Sequence, residues 1–116
     1  MKTFQNMTKT LLVALMLSAA ADSALNADVK TGQKYYLKTL KSKLEMNGTQ
    51  FAAQHTQDEW KELFENRGEG FIREYSHKYP DTEMFLQNPK SWKKLQHIRD
   101  FAIEYGSDSG NVPSCG

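Results

Sequence analysis

Three histidines, His55, His77 and His97, are the side chains best suited to hold a metal ion or to move a proton. Metal sites built on a helix commonly use two histidines four residues apart, because that spacing places both rings on one face. No two of these histidines have that spacing. We therefore expect no metal site, and surface or capping roles for His55 and His77.

A run of acidic residues in the middle of the chain offers a second kind of chemistry, general acid–base catalysis. Asp58, Glu59, Glu62 and Glu65 follow one another on a short predicted helix. A catalytic pair needs two environments that separate the two pKa values, and an exposed helix face does not provide them. The sequence also contains no nucleophile motif and no phosphate-binding loop. We expect no catalytic residue and no enzymatic activity.

Cys115 is the only cysteine, so a disulfide within one chain is excluded. It is the penultimate residue of a Gly/Ser/Asp-rich segment, residues 107–116, that we interpret as a flexible C-terminal tail. A thiol on such a tail can serve as a thiol or sulfur carrier, or form an intermolecular disulfide. The alternative is that the tail folds back and Cys115 packs as a small apolar side chain.

Helices must position all of these residues, because apolar residues recur at helical spacing and no period-two strand pattern occurs. The first predicted helix spans 30–45 and is closed by Met46-Asn47-Gly48, since Asn and Gly tolerate the left-handed conformation. The second begins with a capping box, Thr56-x-x-Glu59. The others span 71–79 and 89–105, with a short turn at 81–86 between them. The sequence predicts an all-α fold.

The first 27 residues have the composition of a secretory signal. Lys2 and Lys9 precede a short apolar core, and Ala24-Leu25-Asn26-Ala27 supplies small residues for a peptidase. Eleven apolar residues form a helix of about 16 Å, too short for a bilayer core of about 30 Å. We expect cleavage after Ala27, a periplasmic protein without membrane attachment, and a helical domain over residues 28–106.

The charge distribution indicates which partners are plausible. The chain has 15 Lys and Arg against 14 Asp and Glu, which excludes general attraction to nucleic acid. Residues 28–55, however, carry five lysines against two acidic residues. Lys34, Lys38 and Lys41 share one face of the first helix, which favours docking to another exported protein. The alternative is an ordinary solvated helix face.

A spacing in the first helix resembles the opening of class I cytochromes c. Gly32 is followed by Tyr36 at plus four, Leu40 at plus eight, Lys43 at plus eleven and Leu44 at plus twelve. The family has a glycine, an aromatic residue and then Cys-x-x-Cys-His at those intervals. Both cysteines and the histidine are replaced here, which excludes covalently attached haem at this position. We therefore expect no cofactor.

The resemblance also covers the last helix, and it implies how the two ends meet. The family's terminal helices cross at the glycine and aromatic positions, which here are Gly32 and Tyr36. The implied contacts on the last helix are Ile98, Phe101 and Tyr105. The resemblance thus implies a small cytochrome c-like bundle of about four helices, with leucines filling the space that haem occupies in the family.

Three functions remain open from the sequence. The first is a non-enzymatic, haem-less, cytochrome c-like protein that binds another periplasmic protein. The resemblance implies that this partner is an electron-transfer protein. The second is a thiol or sulfur carrier that acts through Cys115. The third is a binder of free haem or of a small apolar ligand, with a histidine, Met46 or Met84 as the available haem ligands.

Overall fold

The computed structural model describes residues 28–114, so the predicted signal and Cys115 lie outside the described residues. Over this range the backbone is all-α, as the sequence predicts, with seven α-helices, two 3₁₀ turns and no strand. None of these helices has the length and apolar character needed to cross a membrane. The helices are α1 (28–39), α2 (Lys41–Leu44), α3 (Gly48–Ala52), α4 (Gln57–Leu63), α5 (Glu65–Lys78), α6 (Glu83–Gln87) and α7 (Trp92–Glu104). The turns are Pro80–Thr82 and Pro89–Ser91.

The predicted first helix is divided, and it ends earlier than expected. A turn at Leu40 separates α1 from α2, and Glu45 adopts the left-handed conformation with φ 58°. Asn47 instead begins α3: its side chain accepts a hydrogen bond from the Gln50 amide at 2.8 Å. The Gln50 side chain in turn accepts one from the Asn47 amide at 3.0 Å. The prediction that Asn47 helps to close the first helix is therefore wrong, because its side chain caps the next one.

The capping box at the start of α4 is confirmed. The Thr56 hydroxyl accepts a hydrogen bond from the Glu59 amide at 3.2 Å. The Glu59 carboxylate accepts one from the Thr56 amide at 2.8 Å. Each of these hydrogen bonds satisfies a donor that the first turn of a helix leaves free. The hydrogen bond from the Thr56 backbone amide to the carboxylate lowers the pKa of Glu59, and an interaction of the carboxylate with the Thr56 side chain lowers it further.

We expect Glu59→Gln to reduce the loss of stability on acidification. A carboxyl group whose pKa is lower in the folded state stabilises the fold above its unfolded pKa of about 4.3. That contribution disappears as the pH falls through the folded pKa. Urea unfolding between pH 7 and pH 3 would therefore show a shallower decline for Glu59→Gln than for the wild type. Glu62→Gln, on the same helix but without a capping contact, is the control; equal slopes for both variants would contradict the prediction.

The terminal helices α1 and α7 meet at a glycine, as expected. A Cβ atom on Gly32 would lie 1.9 Å from the carbonyl oxygen of His97 and 3.0 Å from Cβ of Phe101. One turn later Tyr36 is fully buried, with its ring centroid 6.3 Å from that of Phe101. The Tyr36 hydroxyl donates to the carbonyl of Met46 at 2.7 Å, which fixes the segment after α2 against α1.

Aromatic rings fill most of the core. Trp60 lies at the centre, fully buried, and its indole N–H donates to the carbonyl of Ala52 at 2.8 Å. Burial raises the pKa of Tyr36 and of Tyr75 above the ordinary value for tyrosine. The Tyr75 hydroxyl retains a polar partner, since it donates to the side chain of Gln54. The rings packed around Trp60 belong to Phe51, His55, Phe64, Phe71 and Tyr75.

The segment after α7 is held against the body of the domain as far as it is described. The Ser107 amide donates to the carbonyl of His55 at 3.0 Å, and Asp108 accepts from the backbone amide at the start of α4 at 2.9 Å. Further along, Pro113 is buried, and the carbonyl of Ser114 accepts from the side chain of Gln33 on α1 at 2.9 Å. These contacts attach residues 107–114 to the domain at several points, while the flexibility of the tail stays a prediction. The thiol-carrier hypothesis stays a prediction, because Cys115 itself is not described.

Candidate functional site

An open groove of about 890 Å³ runs between α5, α6 and α7. Its size falls within the range of about 300–1,000 Å³ that is usual for ligand sites. One face of α5 forms the first wall, because residues 69, 72, 73, 76 and 77 follow helical spacing. The apolar lining comes from Ile72, Pro80, Leu86, Pro89, Trp92 and Leu95.

A left-handed turn near the start of α5 shapes one end of the groove. Asn66, Arg67 and Gly68 have φ values of 53°, 60° and 75°. This conformation costs energy for residues other than glycine, and it is found preferentially at functional positions. The turn places Gly68 directly under the ring of Trp92, where a Cβ atom would lie 3.1 Å from that ring. It also places the Arg67 guanidinium 5.4 Å from the centre of the Trp92 ring. Trp92 is thus a fixed, half-exposed aromatic surface beside a cation.

Charged side chains of both signs line the groove. Arg67 and Arg73 are the basic ones and Glu69 and Glu83 the acidic ones, with His77 beside them. The only ion pair among them within residues 28–114 joins Arg73 and Glu69 at 3.8 Å, between two well-exposed side chains. Such a pair contributes little free energy and can readily exchange for a bound carboxylate.

Among the groove residues, the one nucleophile, Ser76, is not paired with a base. Ser76 and His77 are the nearest nucleophile and base in sequence, but consecutive residues on a helix point in different directions. The Ser76 hydroxyl is buried and has no hydrogen-bond partner among the described residues, so no base activates it. The geometry of an apolar lining with a few charged groups is that of a binding site.

Two of the three positions that the resemblance aligns with a haem attachment site are part of the core. Leu40 is fully buried and Leu44 is 4 % exposed, while Lys43 points outward and donates to the carbonyl of Asp81 at 3.1 Å. The ring of Tyr36 stacks on that of Phe51 with centroids 4.3 Å apart. Leu40 and Leu44 do not fit covalently attached haem, because a leucine offers neither an iron ligand nor a sulfur for the attachment.

The lysine row consists of Lys30, Lys34, Lys38 and Lys41, all exposed along α1 and the start of α2. Within residues 28–114 none of the four takes part in an ion pair. The nearby Lys43 contacts Asp81, and Asp81 follows Pro80, which lines the groove. The α2 end of the lysine row therefore lies close to one end of the groove.

The remaining candidate ligands are dispersed. Nε2 of His55 lies 2.9 Å from the Glu74 carboxylate, so its ring is already bonded. His77 lines the groove, and His97 lies beside Asp28 where α1 meets α7. Of the two methionines named for haem, Met84 is 89 % exposed, while Met46 packs against the core. The structure does not bring these groups together around one haem.

Sequence reasoning missed the groove because its residues come from distant segments. The stretch 66–70 has two glycines and indicates only a break between helices. A stronger signal was available on α5, where Glu69, Arg73 and His77 recur with a period of four on one face.

Comparisons with models of protein families, with characterised proteins and with solved structures find no match to this chain.

Proposed function

We propose that this chain is a non-enzymatic exported domain, with a cytochrome c-like helix arrangement and no covalent haem, that binds another exported protein. The observation that carries the proposal is the groove of about 890 Å³ between α5, α6 and α7. It combines an apolar lining, a fixed aromatic ring and basic side chains, and its one nucleophile is not paired with a base. Exposed apolar surface bordered by polar groups is typical of protein interaction sites.

The terminal helices support the cytochrome c-like part of the proposal. The close contact between Gly32 and the backbone of His97 is the contact that the resemblance implies. Leu40 and Leu44 are buried where the family carries a cysteine and the haem-ligating histidine. A scaffold that has lost its haem needs apolar side chains in those places, because an unfilled cavity lowers stability.

The charges of the domain favour an acidic partner segment with an apolar anchor. Trp92 and Pro89 offer the apolar contact, and Arg67 and Arg73 offer charge-assisted hydrogen bonds to carboxylates. The lysine row extends the positive charge beyond the α2 end of the groove. It attracts an acidic partner before contact and so raises the rate of association.

Charge reversal in the groove tests the proposal. A partner retained from exported proteins by the immobilised wild-type domain is purified, and its dissociation constant is measured by calorimetry. We expect Arg67→Glu with Arg73→Glu to weaken binding at least tenfold, since each removes an attractive contact and adds repulsion. We also expect the wild-type affinity to fall between 50 and 300 mM salt.

Lys61→Glu is the matched control, because Lys61 is an exposed basic residue on α4 that does not line the groove. It should bind the partner within twofold of the wild type. The proposal fails if the double variant binds as tightly as the wild type. It also fails if the immobilised wild type retains no exported protein in a larger amount than the immobilised double variant does.

His77 favours a second candidate function, the binding of free haem or of another planar, anionic, apolar ligand. This histidine lines the groove and has no hydrogen bond or ion pair within residues 28–114, so its ring is available as an iron ligand. Arg67 and Arg73 could pair with the carboxylates of such a ligand. Haemin titration tests this candidate: saturable binding lost in His77→Ala supports it, and non-saturable binding removes it.

A further inference from the structure

We propose that Asp28, His97 and Asp100 form a binding site for a divalent transition-metal ion where α1 meets α7. The ligating atoms of these three side chains all lie within 4.8 Å of one another. His97 and Asp100 are three residues apart on α7, which places them on the same face of that helix. Asp28 comes from the other end of the described chain, so only the folded domain brings the three together.

The Nδ1 atom of His97 supports a ligand at this position. It is buried and has no hydrogen-bond partner among the described residues. The nearest carboxylate oxygen, on Asp28, lies 3.5 Å away. Buried ring nitrogens are nearly always bonded to something, so an unpaired one that faces two carboxylates is suited to coordinate a cation.

Asp100 is held in a suitable orientation by its neighbour. Its Oδ1 atom accepts a hydrogen bond from Nε of Arg99 at 3.1 Å and forms an ion pair with Nη2 of Arg99 at 3.1 Å. The second carboxylate oxygen then remains for a metal. Hydrogen bonds of this kind orient the ligands of metal sites and are characteristic of them.

The type of ligands indicates which metals the site would take. One imidazole nitrogen with two carboxylate oxygens suits Zn²⁺, Co²⁺, Mn²⁺ or Fe²⁺, whereas Ca²⁺ and Mg²⁺ prefer oxygen alone. At metal–ligand distances of about 2.1 Å, neighbouring ligand atoms lie about 3.4 Å apart. The His97–Asp28 separation of 3.5 Å is already close to that value, and the others, which are at most 4.8 Å, would shorten on binding. Three protein ligands leave at least one coordination position for water.

Metal binding at this site would join the first helix to the last. Both ends of the domain contribute ligands, so the ion would bind the folded state and not the unfolded chain. The site differs from the groove in every residue, so it is independent of the proposed function. The spacing of the histidines in the sequence did not indicate it, because only one histidine takes part.

The experiment uses the full-length chain, purified without a polyhistidine tag and freed of metal by chelation. We expect calorimetric titration with Zn²⁺ to show one site with a dissociation constant of 10 μM or lower. We expect saturating Zn²⁺ to raise the melting temperature by at least about 4 °C, as a small domain responds to ligand binding. Titration with Co²⁺ should give visible absorption bands that report the coordinated histidine.

His97→Gln and Asp100→Asn are expected to weaken Zn²⁺ binding at least tenfold each and to abolish the rise in melting temperature. His55→Gln and His77→Gln are the matched controls, because neither residue belongs to the cluster, and both should bind like the wild type. Circular dichroism verifies that each variant is folded. Failure of the wild type to saturate at 200 μM Zn²⁺ would overturn the proposal, as would undiminished binding by folded His97→Gln and Asp100→Asn.

Discussion

Gly32→Ala is expected to destabilise the domain by about 2 kcal/mol or more, although alanine is the better helix former. A Cβ atom at this position would lie 1.9 Å from the carbonyl oxygen of His97, far inside van der Waals contact. That oxygen belongs to the backbone of α7, so α1 and α7 would have to separate. Helix propensity acts in the opposite direction and favours alanine by about 1 kcal/mol. The sign of the change therefore distinguishes close helix contact from an ordinary helical glycine.

Denaturant unfolding followed by circular dichroism measures this effect as a lower midpoint. Lys34→Ala, two residues further along α1, is the control, because Lys34 is exposed and its removal should change stability by less than about 0.5 kcal/mol. A Gly32→Ala variant as stable as the wild type would show that the two helices do not touch at this residue. It would also remove the main structural support for the cytochrome c-like arrangement.

The elements that the sequence predicts well are those specified by local rules. The Thr56 capping box depends on two residues three apart, and the structure contains it. The helix stop before Pro80 depends on one residue and is also present. The contact at Gly32 joins residues more than sixty positions apart, so no local rule covers it. It was predicted from the resemblance instead. By contrast, Asn47 carries the same local signal for ending one helix as for starting the next, and tertiary packing decides between them.

The candidate sites depend on tertiary contacts, and the sequence could not reveal them. Arg67 adopts a left-handed conformation that nothing in its residue type favours, and this conformation places it over Trp92. The proposed metal site depends on the approach of α1 to α7, which brings Asp28 to His97. No spacing rule covers a ligand separated from the others by the length of the domain. The chemistry of the residues was visible in each case, but their neighbours were not.

Trp60→Ala is expected to destabilise the domain by about 3–5 kcal/mol. The side chain is fully buried, and its ring packs against Phe51 and Phe71 with centroids 5.0 and 6.1 Å away. Its indole N–H also donates to the carbonyl of Ala52, so the substitution leaves both a cavity and a buried oxygen without a donor. Native proteins have a total stability of about 5–15 kcal/mol, and a small domain lies near the lower end. Thermal unfolding should accordingly give a broad, low transition, or none.

Trp60→Phe separates the two contributions, because it keeps an aromatic ring in the core but removes the donor to Ala52. We expect it to cost about 1–3 kcal/mol, the range for a buried carbonyl that loses its partner together with a small loss of packing. Trp92→Phe is the matched control: Trp92 is half-buried, and its indole N–H makes no hydrogen bond within residues 28–114. If the two variants unfold at the same denaturant concentration, Trp60 is not the centre of the core. A clear difference, with Trp92→Phe close to the wild type, shows that the aromatic core around Trp60 contributes more to the stability of the domain than Trp92 in the groove does.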